Sequence, residues 1–310
     1  MSVKILLTGK NGQVGAELAR LLPTIGDVVA VDRRQLDLAH PDEIRRIVRD
    51  IRPRIIVNAA AYTPVDLAET EEPVARAINT DAPGVMAEEA KKIDAALVHY
   101  STDYVFDGAK TSPYSETDAT NPINAYGRTK LGGEQAIRAT GVPHLILRTQ
   151  WVYGNRGKNF LLTILRLAAE REELRVVNDQ FGAPTWSREI ARATTNILGK
   201  SRRPDTGAQP LEEVSGTYNM TAAGQTNWYE FAVAILDGAI RAPRESWLRA
   251  GNGKALLARR IVPIRTRDYP TPARRPAYSV LSNRRLAETF AVQLPEWRTQ
   301  LDSVLAERAE

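Results

Sequence analysis

The sequence predicts an α/β protein built on a doubly wound parallel sheet, with a second, smaller domain beside it. Apolar, β-rich runs alternate with helical patterns from residue 3 to residue 149. The candidate strands are apolar throughout, which is typical of strands buried on both faces of a parallel sheet. After Thr149 the alternation loosens, which indicates that a different domain follows.

Each element has its own signal in the sequence. The predicted strands are VKILLTG, DVVAVD, RIIVNAAAY, ALVHYSTD and HLILRT. Amphipathic periodicity predicts the helices between them, at Gln13–Leu22, Pro41–Asp50, Ala82–Ile93 and Ala125–Ala139. A helix at Asn159–Glu172, the strand RVVND, the loop QFGAPTW and another helix follow.

The amino-acid composition limits the kinds of catalytic chemistry that the chain can perform. The chain of 310 residues has no cysteine, which excludes disulfides, thiolate nucleophiles and cysteine-ligated metals. Its three histidines lie in no metal-binding spacing, so we expect no metal. Acid–base chemistry is then left to Tyr, Lys, Asp, Glu, Ser or Thr.

Charge and hydropathy limit the kinds of binding partner that the chain can have. The net charge of +5 is spread along the chain, which favours small phosphorylated ligands over nucleic acid. No apolar run approaches the ~20 residues that span a bilayer. We therefore expect a soluble cytoplasmic protein that binds neither nucleic acid nor membrane.

A glycine loop, TGKNGQVG, joins the first predicted strand to the first helix. Gly9, Gly12 and Gly15 give the spacing GxxGxxG, which differs from the GxGxxG fingerprint. The physical effect is the same, because glycines let the backbone approach a diphosphate while the helix presents free N–H groups. The loop therefore predicts a dinucleotide site.

The end of the second strand predicts the adenosine side of that site. Asp32 stands where a carboxylate can bind the ribose hydroxyls. Arg33 and Arg34 follow, and an arginine there can pair with a 2′-phosphate, unless both point at solvent. Asp37 and Leu38 would line the adenine side. We expect NADPH or NADH as cofactor, with a preference for NADPH.

These features predict a division of the chain. Residues 1–155 are expected to form a Rossmann-type NAD(P)-binding domain, and a helix near residues 186–200 to pack back onto it. Residues 156–310 are expected to form a substrate-binding domain interleaved with the first.

Tyr126 and Lys130 lie four residues apart, so a helix places them on one face. They follow Thr102, at the carboxyl end of the fourth strand, where open α/β sheets build their sites. An ammonium beside the phenol would lower the phenol's pKa from about 10, and could hold the nicotinamide ribose. Tyr126 would then give a proton to a ketone oxygen held by Thr102 while a hydride reaches the carbon.

Further motifs extend along the chain: VNAAAYTPVDLAE, HYSTDYVFDG, YGxTKxxGE, RTxWVYG, NDQFGAPT and TPARRPxxS. With TGxxGQVG, they resemble the extended short-chain dehydrogenase/reductase family and, within it, the dTDP-4-dehydrorhamnose reductases. The resemblance implies reduction of dTDP-4-dehydro-β-L-rhamnose at C4 to dTDP-β-L-rhamnose by NAD(P)H, for cell-surface polysaccharide.

The resemblance also implies roles for residues at matching positions. The catalytic set is Thr102, Tyr126 and Lys130. Besides Tyr126 and Lys130, the expected cofactor contacts are Gly9, Asn11, Gly12, Gln13, Val14, Gly15, Asp32, Arg33, Asp37, Leu38, Ala59, Ala60, Ala61, Tyr62, Thr63 and Tyr100. The expected sugar contacts are Val65, Thr102, Asp103, Tyr104 and Trp151, although Trp151 could equally be a core aromatic.

The chain departs from the family pattern at two places. Some members are described as dimers bridged by a metal on acidic residues, and here Glu17 could supply one acid. The helix after GAPT begins Trp186-Ser187-Arg188, without an acid, so a monomer or a homodimer without metal is expected. Tyr278 stands where an asparagine is common.

Other functions share part of the pattern. A sugar-nucleotide 4,6-dehydratase usually has Asp-Glu after the threonine, whereas Tyr104 follows Asp103 here. An epimerase would need a retained cofactor and room for its keto-sugar intermediate to turn, and the sequence excludes neither geometry. A reductase of a related dTDP-4-keto-6-deoxy sugar, or a non-catalytic NADP-binding regulatory subunit, could carry the same motifs.

Overall fold

The computed structural model describes residues 2–201, 210–241 and 256–307. In the first half of the chain, strands alternate with helices. The strands are β1 (Lys4–Thr8), β2 (Asp27–Val31), β3 (Ile55–Asn58), β4 (Ala96–Thr102) and β5 (His144–Thr149). The helices are α1 (Gln13–Leu21), α2 (Pro41–Ile51), α3 (Glu72–Arg76), α4 (Ala82–Lys92) and α5 (Ala125–Thr140).

The second half has short strands and longer helices. The strands are β6 (Val152–Tyr153), β7 (Glu173–Val177), β8 (Phe181–Gly182), β9 (Thr185–Trp186), β10 (Gly216–Asn219), β11 (Thr226–Asn227) and β12 (Arg260–Ile264). The helices are α6 (Phe160–Glu170), α7 (Ser187–Lys200), α8 (Trp228–Arg241), α9 (Arg284–Phe290) and α10 (Trp297–Ala306).

The central sheet is parallel and has the strand order β10-β5-β4-β3-β1-β2. This confirms the doubly wound fold class that the sequence predicts. The strand order reverses between β1 and β3, and the loops after these two strands therefore open a crevice at the carboxyl edge of the sheet. The sixth strand, β10, comes from the second half of the chain.

Helices cover both faces of this sheet. On one face α1 and α7 pack together over β1, β3 and β5, through buried side chains that include Leu7, Leu18, Val57, Ile190 and Ile197. On the other face α2, α4 and α5 bury Leu6, Ile44, Ile56, Met86 and Ile137. Burial on both faces explains why the strands read as continuous apolar runs.

A third apolar cluster belongs to the second half of the chain. It joins α6, α8 and α10 through Leu161, Phe231, Ile235, Trp297 and Leu301. Beside it, β12 pairs with β7. None of the helices in the described ranges combines the length and apolarity that a bilayer crossing needs.

Candidate active site

The glycine loop lies directly against the end of β3. Gly9 has a positive φ of 74°, and a Cβ there would lie 2.8 Å from the backbone nitrogen of Ala60. A Cβ on Gly15 would overlap the carbonyl oxygen of Gly9. A side chain at Gly9 would therefore push the glycine loop away from the segment after β3, and one at Gly15 would open the glycine loop itself.

The N-terminus of α1 carries no side-chain cap. Gly12 is the N-cap residue, no side chain bonds to the first turn, and that turn contains no acid. Its backbone N–H groups and the positive end of the helix dipole are therefore available to an anion.

Asp32 follows the end of β2. Its carboxylate accepts hydrogen bonds from the Arg34 backbone N–H at 3.0 Å and from Asn11 Nδ2 at 3.2 Å. Burial raises the pKa of Asp32, but the Arg34 N–H and the nearby Lys10 ammonium outweigh it and lower the pKa overall. The carboxylate is thus ionised and suited to accept hydrogen bonds from a diol.

Arg33 is 79% exposed, with Nε 3.5 Å from Asp37 Oδ2. The Ala39 backbone N–H bonds to the same carboxylate and lowers its pKa. Leu38 is buried in the core under the helices α2 and α4. The Arg33 side chain is therefore at the surface, where it could turn toward an anion or remain in solvent.

Two buried asparagines hold the segment after β3 in place. Asn58 Oδ1 accepts from the Ala60 backbone N–H at 3.2 Å. Asn79 accepts from the Tyr62 N–H at 2.9 Å and donates to the Tyr62 carbonyl at 3.0 Å. The phenol of Tyr62 donates to Glu71 at 2.6 Å. The backbone of residues 59–63 is thus fixed beside the glycine loop.

The first turn of α5 packs on the turn that follows β4. Asn124 caps α5 by accepting from the Gly127 N–H at 2.8 Å. A Cβ on Gly127 would overlap the Tyr104 carbonyl oxygen. The rings of Tyr104 and Tyr126 meet edge to face, with centroids 5.5 Å apart. These contacts bring Tyr126 to Thr102 at the end of β4.

The sequence-based expectation for the phenol's pKa is wrong in one respect. Burial raises the pKa of Tyr126 above its usual value, the Asp103 carboxylate adds to the rise, and a hydrogen bond with Thr102 opposes it. Lys130 was expected to lower this pKa, but its amine donates to the Tyr100 carbonyl at 2.6 Å and lies 3.2 Å from His99 Nε2. The phenol is consequently protonated at neutral pH.

Asp103 is 1% exposed. It accepts hydrogen bonds from Thr102 Oγ1 at 3.0 Å and Gln150 Nε2 at 3.2 Å. Burial raises the pKa of Asp103 to about 6, although hydrogen bonds from Ser279, Thr102 and Gln150 oppose the rise. An acid that titrates near neutrality therefore lies beside the Thr102 hydroxyl and the Tyr126 phenol.

The indole of Trp151 stacks on Trp228, with ring centroids 3.5 Å apart. Its backbone has a positive φ of 45°, and a Cβ on Gly182 would lie 2.6 Å from the ring. Trp151 is only half-buried, so it forms part of an aromatic wall rather than an enclosed core.

The loop after β3 is also tied to the C-terminal segment. Val65 is half-buried in this loop. The adjacent Asp66 binds Arg275 Nη2 at 2.8 Å and the Ala273 backbone N–H at 3.1 Å. Asn124, the cap of α5, donates to the Arg274 carbonyl at 2.8 Å. The TPARRP motif is thus placed across the strand ends.

Sequence reasoning assigned no role to four buried polar residues at this edge: Asn58, His99, Gln150 and Ser279. Asn58 and Gln150 lie at the carboxyl ends of β3 and β5, and His99, in the middle of β4, pairs in register with Asn58. The carboxyl edge of a parallel sheet is where ligands bind, so position along the strands was the signal that could have indicated these residues. Ser279 lies in the C-terminal segment, and only the tertiary structure brings it to Gln150.

Glu17, the acid considered for a metal, is buried in α1. Arg188 of α7 pairs with it, with 3.0 Å between Nε and Oε2, and also contacts Glu307. No group of three or more His, Cys, Asp or Glu side chains that could hold a metal occurs in the described parts of the chain. The Arg188 guanidinium therefore compensates the Glu17 charge.

Comparisons with known proteins match nearly the whole chain to one family. The family model described as RmlD substrate binding domain matches residues 3–310. A dTDP-4-dehydrorhamnose reductase of Burkholderia thailandensis is 52% identical over 296 residues, with 96% of each chain covered. One from Escherichia coli strain K12 is 43% identical over 310 residues, with 98% of each covered.

A solved structure agrees with these relatives. The dTDP-4-dehydrorhamnose reductase of Bacillus anthracis in complex with NADP has a TM-score of 0.86 and 32% identity, and the match covers 98% of this chain and 99% of that one. The resemblance inferred from the motifs is thus confirmed, and the chain belongs to the dTDP-4-dehydrorhamnose reductase family.

Proposed function

We propose that this protein reduces the C4 keto group of dTDP-4-dehydro-β-L-rhamnose to give dTDP-β-L-rhamnose, with NADPH or NADH. The observation that carries the proposal is the meeting of Thr102, Asp103 and the protonated Tyr126 at the sheet edge that also holds the glycine loop. Relatives that are 52% and 43% identical are named for this reaction.

The residues at the glycine loop fit a dinucleotide. Gly9 and Gly15 let the loop pack tightly on backbone that a Cβ would hit, and the uncapped start of α1 offers N–H groups to a diphosphate. Asp32 is ionised and can bind the ribose hydroxyls. Arg33 is exposed and able to pair with a 2′-phosphate. When bound, the reduced cofactor supplies the hydride.

The chain's own part in the chemistry is proton transfer. A phenol whose pKa is raised stays protonated, which keeps Tyr126 ready to donate to a ketone oxygen. The single proton of the Thr102 hydroxyl is donated to Asp103 in this structure. It would turn to the ketone oxygen as charge develops there, or to the phenolate that remains, since one hydroxyl cannot donate to both. Lys130 lies one turn further along α5 and would assist once it carries a proton.

The sugar would lie between the strand ends and the aromatic wall. Asp103 can accept hydrogen bonds from sugar hydroxyls, and the half-buried rings of Tyr104 and Trp151 offer apolar faces to a 6-deoxy sugar. Val65 would contribute a further apolar contact from the loop after β3. Related dTDP-4-keto-6-deoxy sugars would fit the same chemistry.

Three further points belong to this proposal. We propose residues 1–155 as the NAD(P)-binding domain and residues 156–310 as the interleaved substrate-binding domain; β10 and α7, which join the first domain's sheet and cover it, support this. The protein would act in the cytoplasm, as a monomer or homodimer. Sedimentation at several protein concentrations would measure the oligomeric state.

The deciding experiment is an assay of NADPH oxidation with dTDP-4-dehydrorhamnose generated in situ, with product identified by mass. Turnover supports the reductase. NADPH binding without turnover on this or related dTDP-4-keto sugars would instead identify a non-catalytic, regulatory protein.

A further inference from the structure

A chain of buried polar groups connects the end of β1 to Lys130. Thr8 Oγ1 donates to Asn58 Oδ1 at 2.7 Å, Asn58 Nδ2 lies 3.1 Å from His99 Nδ1, and His99 Nε2 lies 3.2 Å from Lys130 Nζ. Each of these side chains is at most 2% exposed. Bulk solvent is therefore excluded, and buried donors in such a place are normally paired with an acceptor.

The backbone fixes the direction of this chain at Asn58. The Ala60 backbone N–H, which can only donate, is 3.2 Å from Asn58 Oδ1. The Asn58 amide is therefore oriented with its oxygen toward Ala60 and its NH₂ toward His99. Since an NH₂ group donates, His99 Nδ1 must accept, and the single proton of a neutral imidazole is on Nε2.

That proton points at the amine of Lys130. An ammonium has three donors and no lone pair, so it cannot accept from the His99 Nε2–H group. A neutral amine can accept this hydrogen bond and still donate to the Tyr100 carbonyl, 2.6 Å away. The directions of the hydrogen bonds are therefore consistent with a neutral Lys130 and inconsistent with a charged one.

We propose that Asn58 and His99 are positioning residues that hold the Lys130 amine neutral, and that Lys130 gains a proton only when the hydrogen bonds between these three residues reverse. Reversal turns the Asn58 amide and takes the acceptor away from the Ala60 N–H. Residues 59–63 are proposed cofactor contacts, so the consequence of this inference rests on the proposed function. Binding of the cofactor to this segment would change how readily Lys130 takes up a proton.

The charges around Lys130 favour the neutral amine only in part, so the directions of the hydrogen bonds carry the proposal. Burial lowers the pKa of Lys130 to about 8, Glu134 on the same helix opposes this, and a pKa of about 8 alone would leave the amine mostly charged at pH 7. From β4, His99 faces the amine, and burial together with Lys130 holds the pKa of His99 well below 6.5. From β3 the neighbour is Asn58, which does not titrate. Glu134 itself binds Arg148, at 2.8 and 2.7 Å, so its charge is largely compensated.

The tautomer of His99 is the direct test, because the chain has only three histidines. In protein labelled with ¹⁵N-histidine and measured without cofactor or substrate, the signal that disappears in His99→Gln identifies His99. We expect the Nε2–H tautomer at neutral pH. An Nδ1–H tautomer or a charged imidazolium would overturn the proposal without any variant being needed.

Asn58→Asp tests whether Asn58 sets the direction of the hydrogen bonds between Asn58, His99 and Lys130. The carboxylate still accepts from Ala60 and Thr8, but its second oxygen also accepts, so His99 should change to the Nδ1–H tautomer. Asn227→Asp is the matched control: Asn227 caps α8 by accepting from the Glu230 N–H at 2.8 Å, and the variant should leave the His99 tautomer unchanged. An unchanged tautomer in Asn58→Asp would contradict the proposal.

Two further measurements separate this inference from the proposed function. In Lys130→Met, His99 should keep the Nε2–H tautomer, because Asn58 determines it. A changed tautomer would contradict the proposal. Because the charged amine is proposed to assist turnover, kcat in the NADPH assay should fall as pH rises through the Lys130 pKa of about 8. Asn58→Asp should shift this fall upward by about one pH unit or more, since a carboxylate favours the charged amine. A reversed tautomer with an unshifted decline would overturn the link to Lys130, whereas absence of turnover would concern the proposed function only.

Discussion

The side-chain amide of Gln150 donates a hydrogen bond to the carboxylate of Asp103, with 3.2 Å between Nε2 and Oδ2. Gln150 Oε1 accepts from the Ala183 backbone N–H at 3.0 Å, which fixes the orientation of the amide. The hydrogen bonds favour an ionised Asp103 and burial favours a neutral one. Burial is the stronger effect, because the pKa is raised to about 6.

This balance predicts a pH-dependent stability. The folded pKa of Asp103, about 6, exceeds the ordinary value of 3.8, so the folded state binds the proton more tightly. Its contribution is therefore fully present below pH 4 and is lost as pH rises through 6, by at most on the order of 3 kcal/mol. Urea unfolding of the wild type and Asp103→Asn from pH 4 to pH 7 would measure it.

The pH dependence of the difference is the quantity to compare, because Asp103→Asn also has a pH-independent cost: it changes the hydrogen bonds that Asp103 accepts from Thr102 and Gln150. We expect the difference in unfolding free energy between the two proteins to change in favour of the variant as pH rises. Parallel curves across this range would show that Asp103 does not titrate there.

Tyr126→Phe should reduce turnover by about 10² to 10⁴, the usual value of general acid catalysis, while NADPH binding is retained. The physical reason is that the phenol is the proposed proton donor at the site. Steady-state NADPH oxidation gives kcat, and fluorescence titration gives the cofactor's Kd. A turnover within threefold of wild type would refute the assigned role.

Tyr153→Phe is the matched control for that variant. The phenol oxygen of Tyr153 is buried and has no hydrogen-bond partner in the described parts of the chain. Removing an unsatisfied buried hydroxyl should be neutral or stabilising. We therefore expect unchanged kcat and an equal or higher midpoint of urea unfolding.

The sequence predicted the fold more completely than it predicted the site. Alternating apolar runs predicted the first five sheet strands, and the glycine spacing predicted the loop after β1, because both patterns are local in sequence. β10 has four residues and joins β5 only through tertiary contacts, so no local pattern marks it as a sheet strand. The electrostatics of Lys130 were mispredicted for the same reason: spacing on a helix cannot reveal His99, which arrives from β4.

Arg33→Ala tests the predicted cofactor preference. If Arg33 pairs with the 2′-phosphate, NADPH binding should weaken about tenfold, as expected for losing a charge-assisted hydrogen bond, while NADH binding stays within twofold. Titration calorimetry with each cofactor measures both constants. Arg45→Ala is the control, because Arg45 pairs with Asp42 on α2. Equal losses for both cofactors would argue for general attraction instead of phosphate recognition.

Glu134→Gln should destabilise the protein strongly. Arg148 is 2% exposed and donates to both carboxylate oxygens of Glu134, at 2.8 and 2.7 Å, while Ser101 donates at 2.6 Å. Removing the charge leaves a buried guanidinium uncompensated, which typically costs about 3–5 kcal/mol. The exposed pair Arg284–Glu288 provides the contrast, since Glu288→Gln should change stability by less than about 0.5 kcal/mol. Urea unfolding of both variants at pH 7 measures the difference. A loss below about 1 kcal/mol in Glu134→Gln would mean that Arg148 finds another partner or reaches water.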